Sequence, residues 1–214
     1  MPDSIPSEPA QTLFGTLETA TSLSREILRQ VGMALLQHLL EGQPVPLETL
    51  EEATGQDREE IARLLDRMEA ERGENGEVVG LGLSLRPTPH QYKTGGKIFY
   101  GWCAADTLLF PPILQHTARV TSRDPISGAA IDLRVSPDAV ERVDPSSAAI
   151  TWVEDGTPVS LRESFCFPSR FFASAATAQQ WAAEHENADV RSVEEAHEAA
   201  RTIADRIREG RISN

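Results

Sequence analysis

The sequence predicts an α+β fold: an N-terminal helical, winged-helix-like part followed by a core of small antiparallel sheets with flanking helices. Three observations carry this. Apolar residues at helical spacing fill residues 22–72. Beyond residue 87 the pattern changes to short β-forming runs separated by Gly-Gly, Asp-Pro and Ser-Pro-Asp turns. Strands then give way to helices near the C-terminus, rather than alternating with them as in a doubly wound sheet.

Residues 1–18 are rich in Ser, Pro, Thr and Glu and read as a flexible tail. A helical winged-helix-like domain is expected over 19–86 and an α+β core over 87–214. Leu23, Ile27, Leu28, Val31, Ala34, Leu35 and Leu39 mark one face of a first helix, which Gly42 and Pro44 end. Pro46 opens a short second helix that Gly55 stops. Asp57 with Glu60 resembles a capping box for a third helix over 57–72, closed by Gly73. Val79, Leu81, Leu83 and Leu85 alternate as one half-buried strand. Residues 91–94 and 97–102 flank Gly95-Gly96 as a hairpin. A helix is expected over 104–110, ending at Pro111-Pro112. Strands follow over 118–121, 130–135 and 148–153, then a strand or loop over 161–172. Helices over 177–186 and 192–209, with a short strand at 189–191, complete the chain.

Of the 214 residues, 33 are acidic and 20 basic, for a net charge of −13. Only Lys93 and Lys97 among the bases are lysines. The third helical segment holds six acids against four arginines. Both features repel phosphate, so nucleic-acid binding is disfavoured despite the winged-helix outline. No run reaches 18 apolar residues, and the first residues lack the basic and apolar regions of a signal peptide. The expectation is a cytoplasmic protein, not attached to a membrane, with reduced thiols. No exposed apolar strip is evident, which favours a monomer. Neither CxxC nor HExxH occurs, and the histidine spacing matches no zinc site. Gly80-Leu81-Gly82 lacks the third glycine and following helix of a dinucleotide loop.

The informative stretch is Phe99-Tyr100-Gly101-Trp102-Cys103-Ala104-Ala105-Asp106-Thr107. Cys103 falls where a strand hands over to a helix, and the positive helix end there favours a thiolate. Asp106, three residues on, shares its helical face. A carboxyl beside sulfur and away from water has its pKa raised, so it can hold and deliver a proton. Cys166 lies 63 positions further, in Glu163-Ser164-Phe165-Cys166-Phe167-Pro168. Each cysteine can equally be a small buried hydrophobe. Two thiolates facing one cavity would form a soft site suited to soft metals, Hg(II) above all. Trp102 and Phe165 stand beside the two thiols as candidate apolar, substrate-binding walls. Arg162 reads either as an orienting group or as a strand-edge residue.

The segment Tyr100-Gly101-Trp102-Cys103-Ala104-Ala105-Asp106-Thr107-Leu108-Leu109-Phe110-Pro111 closely resembles the signature of the organomercurial (alkylmercury) lyases. So do His116 to Ser122, Val135-Ser136-Pro137, Arg162 to Cys166, Phe171 to Ser174, and the stretch ending Gly80-Leu81-Gly82-Leu83-Ser84-Leu85. The resemblance runs in order from about residue 22 to about 198. It implies cleavage of a carbon–mercury bond to a hydrocarbon and Hg(II). Cys103 and Cys166 match the family's essential cysteines and Asp106 its essential aspartate, so these three would also hold the Hg(II) product. It further implies no organic cofactor, a need for exogenous low-molecular-weight thiols, and hand-over of mercury to a mercuric reductase. The sequence departs from some relatives in having Phe167 where they carry a further cysteine. The rival readings are a non-catalytic thiol-based mercury- or metal-binding protein, a winged-helix regulator, and a two-cysteine thiol oxidoreductase.

Overall fold

Apolar side chains at helical spacing are buried along α1 (Arg25–Leu39), where Leu28, Val31, Leu35 and Leu39 face inward. The computed structural model describes residues 25–153, 166–185 and 188–209. The expected tail at 1–18 lies outside them. Pro46 caps α2 (Leu47–Thr54), which ends on Gly55 in a left-handed conformation. Asp57 Oδ1 accepts the Glu59 and Glu60 backbone N–H groups and starts α3 (Arg58–Arg67). Leu50, Ile61, Leu64 and Leu65 complete a core with α1 and Val78. Each such side chain, fully buried, contributes about 1.5–3 kcal/mol.

The third helix stops at Arg67, short of the expected Arg72. Glu69 takes φ +58°, and Glu71–Arg72 (β1) pairs with β2 (Val78–Leu81). The single strand expected over 79–85 is likewise two. Gly82, at φ +69°, folds β2 back on β3 (Leu83–Ser84), with Leu81 opposite Leu83.

These strands continue into β4 (His90–Thr94), β5 (Lys97–Gly101), β6 (Ala118–Arg123), β7 (Ala130–Val135) and β8 (Val140–Asp144). The result is one eight-stranded antiparallel sheet, ordered β1-β2-β3-β5-β4-β6-β7-β8. The β3–β5 pairing carries the sheet across the Arg86–Pro89 break, joining the helical segment to the rest. β8 was not anticipated. Its residues are half-buried or exposed at the sheet's edge, so burial leaves little periodic trace. A second, three-stranded sheet, β10-β9-β11, comprises β9 (Ala149–Val153), β10 (Phe171–Phe172) and β11 (Ala188–Ser192).

Between these parts runs α4 (Ala104–Leu114), packed against the C-terminal helix α6 (Val193–Arg208). It passes through Pro111 and Pro112 rather than ending there. An interior proline costs an isolated helix about 3 kcal/mol. Here Ala104 through Ile113 are all buried, and packing on every side offsets that cost. The smaller helix α5 (Ala175–Ala182) is capped by Ser174 Oγ, which accepts the Thr177 N–H. Among the described residues, no helix is long and apolar enough to cross a membrane.

Asp124 fastens the β6–β7 turn to the second sheet. It is 1% exposed. Oδ1 accepts the Ile126 and Ser127 N–H groups, and Oδ2 accepts Ala173 N–H at 2.9 Å and Thr177 Oγ1–H at 2.7 Å. Burial raises its pKa, but these bonds together outweigh burial and hold it at about 2. Stability from Asp124 is therefore present above about pH 4 and lost as pH falls through 2. Asp124→Asn is expected to cost about 2–4 kcal/mol at neutral pH and to flatten that acid limb, both read by urea unfolding.

Candidate active site

Strand β5 ends at Gly101, and the chain turns through Trp102 and Cys103 into α4. Cys103 is the N-cap, extended at φ −139° and ψ 176°. Its N–H donates to Asp106 Oδ2 at 3.0 Å, while the Asp106 N–H faces the Cys103 sulfur. This reciprocal arrangement is a capping box built from a thiol and a carboxylate. It confirms the shared face expected from the three-residue spacing.

The second thiol arrives on a loop gripped from two sides. Ser169, 2% exposed, accepts Ala104 N–H on its carbonyl at 3.2 Å and Ala105 N–H on its hydroxyl at 3.0 Å. Those are unpaired donors of the first turn of α4. The Ser169 N–H closes the loop onto the Cys166 carbonyl at 3.2 Å. On the other side, Thr151 of β9 donates its hydroxyl to the Pro168 carbonyl at 2.6 Å and its N–H to the Arg170 carbonyl at 2.9 Å. Sulfur and carboxylate atoms of Cys103, Asp106 and Cys166 consequently lie within 4.8 Å of one another. Among the described residues, this is the one such group of three His, Cys, Asp or Glu side chains. Both cysteines are free thiols.

The electrostatics differ from the sequence expectation. The helix start was expected to favour the Cys103 thiolate. Instead its pKa is pushed well above the ordinary thiol value. Burial is the largest cause, followed by the hydrogen bond with Cys166 and the negative charge of Asp106. The Asp106 N–H pulls the other way and is outweighed. Cys103 therefore rests as a thiol, 1% exposed, while Cys166 is only partly buried.

A cleft of about 250 Å³ opens beside Cys166, with Trp102, Phe167, His90, Arg170 and Glu71 among its walls. Trp102 lines the cleft, its backbone N–H donating to the Gly82 carbonyl at 2.7 Å. Phe165 and Arg162 lie outside the described residues. Phe167 is 58% exposed. His90 is buried, its Nδ1 3.0 Å from Ser122 Oγ and its ring edge-on to Phe171. Burial, then the charge of Arg170, lowers its pKa to about 4, so it is neutral at working pH.

Sequence reasoning missed Ser169, His90, Arg170 and Gly82. A Cβ on Gly82 would lie 2.8 Å from Phe110 Cζ and 3.3 Å from Asp106 Oδ1, so the β2–β3 turn rests against the carboxylate. The one available signal was the glycine at the centre of an otherwise alternating strand.

A helical segment fused to an antiparallel sheet, with two thiols and a carboxyl converging on one helix start, defines a protein with a soft, thiol-based metal site. Residues 83–205 match the family model described as alkylmercury lyase, and residues 10–82 match the helix-turn-helix domain of alkylmercury lyase. The alkylmercury lyase of Staphylococcus epidermidis is 37% identical over 209 residues, covering 97% of this chain and 95% of that protein. Those of Bacillus cereus and Pseudomonas putida are 37% and 38% identical over 88% and 83% of this chain, and over 87% and 84% of their own lengths. The mercury-bound form of MerB2 has the same fold, with a TM-score of 0.76 at 22% identity, over 96% of this chain and 99% of that one. The chain belongs to the alkylmercury lyases, enzymes that cleave the carbon–mercury bond of organomercurials.

Two outcomes check the geometry. Ser169→Ala leaves the Ala105 N–H without its acceptor and should lower stability by about 1–2 kcal/mol in urea titration. A histidine with a depressed folded pKa destabilises as pH falls from the unfolded value of 6.5 to about 4, by about 3 kcal/mol. A His90→Gln variant should lose markedly less stability across that window.

Proposed function

We propose that this chain cleaves organomercurials by protonolysis, with Cys103 and Cys166 holding mercury and Asp106 delivering the proton. The convergence of two sulfurs and one carboxylate within 4.8 Å carries this reading. The substrate is R–Hg bound to a small thiol, because mercury in the presence of thiols is found on sulfur. Cys166, open to the cleft, takes it first. A Cys166–Hg bond forms, the Hg–carrier bond breaks, and the carrier leaves as a thiol with the proton Cys166 gives up. Cys103 then passes its proton to Asp106 and adds to mercury. Three-coordinate mercury, with two sulfur donors, pushes electron density onto the attached carbon. Asp106 returns its proton to that carbon as the C–Hg pair moves to the new C–H bond, and RH departs. Hg(II) stays on the two thiolates beside the regenerated Asp106 carboxylate.

The raised pKa of Cys103 suits this order. A thiol that rests protonated keeps its proton for the reaction, and only a cation able to bind sulfur displaces it. Trp102, and Phe165 next to Cys166, serve as the apolar wall for R. External thiols remove Hg(II), for hand-over to a mercuric reductase, and the enzyme needs no organic cofactor. It works as a cytoplasmic monomer that binds neither nucleic acid nor membrane. The part before residue 87 acts as a wall of the site rather than as a DNA reader, a role that the Gly82–Asp106 contact supports.

Methane release from methylmercury in excess thiol tests this. Cys103→Ser and Cys166→Ser should each lower turnover by about 100-fold or more, since a hydroxyl is a poor ligand for soft mercury. Asp106→Asn should still bind mercury stoichiometrically while releasing almost no methane. Wild-type release by Asp106→Asn would remove the proton-donor role. Mercury capture without methane from the unaltered protein would favour the binding-protein alternative.

A further inference from the structure

The cleft at Cys166 holds the liquid volume of about eight waters, more room than mercury and a small organic group require. Its wall is partly apolar, from Trp102, Phe167 and Pro89. Arg170 is its one cation among the described residues, since His90 beside it is neutral. Arg170 stands four residues after Cys166, and its backbone is pinned on both sides to Thr151. Its N–H donates to Thr151 Oγ1 at 3.1 Å, and its carbonyl accepts Thr151 N–H at 2.9 Å. The side chain is steadied as well. Nε donates to the Phe167 carbonyl at 3.2 Å, and the guanidinium lies 5.1 Å above the Phe167 ring. Among the described residues, no carboxylate forms an ion pair with it. Glu71, which also lines the cleft, accepts a hydrogen bond from Ser84 Oγ. A positioned guanidinium whose terminal nitrogens have no hydrogen-bond partner among the described residues, beside a mercury-accepting thiol, is a receptor for a planar anion.

We propose that Arg170 binds the carboxylate of the thiol that carries the organomercurial in, so the preferred substrate is the adduct of a small carboxylate-bearing thiol. This inference rests on the cleavage reading above and specifies the leaving group of its first step. As the Cys166–Hg bond forms and the Hg–carrier bond breaks, the carrier leaves as a thiol with the proton from Cys166. Its carboxylate stays paired to Arg170 throughout, which orients the carrier sulfur for exchange. Arg170 is thus a specificity-determining residue acting on the part of the substrate that is discarded.

The experiment presents methylmercury as its 3-mercaptopropionate or 2-mercaptoethanol adduct, each in excess of the same thiol, and reads methane. Wild type is expected to show a KM about tenfold lower for the carboxylate adduct, as one charge-assisted pair provides. Arg170→Met should bring the two KM values together, and Arg170→Lys should retain part of the difference. Equal KM values in wild type overturn the proposal, as does a preference that survives Arg170→Met or Arg170→Gln. Methane released without carrier preference leaves the cleavage reading standing and removes this one alone. No methane from either adduct with wild type removes both.

Discussion

Two hydrogen bonds from the first turn of α4 to Ser169 hold the site together. Residues 103 and 166 have no reason to meet along the polymer. They meet because a helix start must satisfy its free N–H groups, and Ser169 supplies a carbonyl for Ala104 and a hydroxyl for Ala105. Thr151 braces the same loop from β9. The sheets, the buried α4 and the Asp124 fastening all support this one joint. Sulfur–sulfur proximity thus follows from the way the loop satisfies the helix start.

The unequal environments of the two thiols follow from their places in the fold. Cys103 is buried at the start of a helix whose residues Ala104 through Ile113 are all buried. There desolvation overrides the favourable helix end. Cys166 sits on a surface loop beside a cleft. One sulfur is therefore sealed from solvent and the other partly open to it.

Much of this was legible in the sequence, for identifiable reasons. The strand-to-helix handover at Cys103 and the i, i+3 placement of Asp106 are local, and local patterns survive folding. The helices of the first part showed because their burial is one-sided. What escaped was set by tertiary contact. α4 crosses two prolines because it is enclosed. β8 has no buried face to imprint alternation. Asp57 to Arg72 divides because Arg72 pairs in the sheet. The Cys103 pKa was read from the helix end alone, although Cys166 and the surrounding apolar residues decide it. Ser169 could not be found at all, since a lone serine beside a proline has no periodic or spacing signal.

The tight approach of Gly82 to Asp106 has a consequence for how the molecule can be divided. The turn belongs to the segment with a helix-turn-helix outline, yet its backbone forms part of the chamber around the acid. The segment before residue 83 therefore cannot move away from the rest without uncovering that carboxylate. A chain cut between the two segments would leave that side of the carboxylate open.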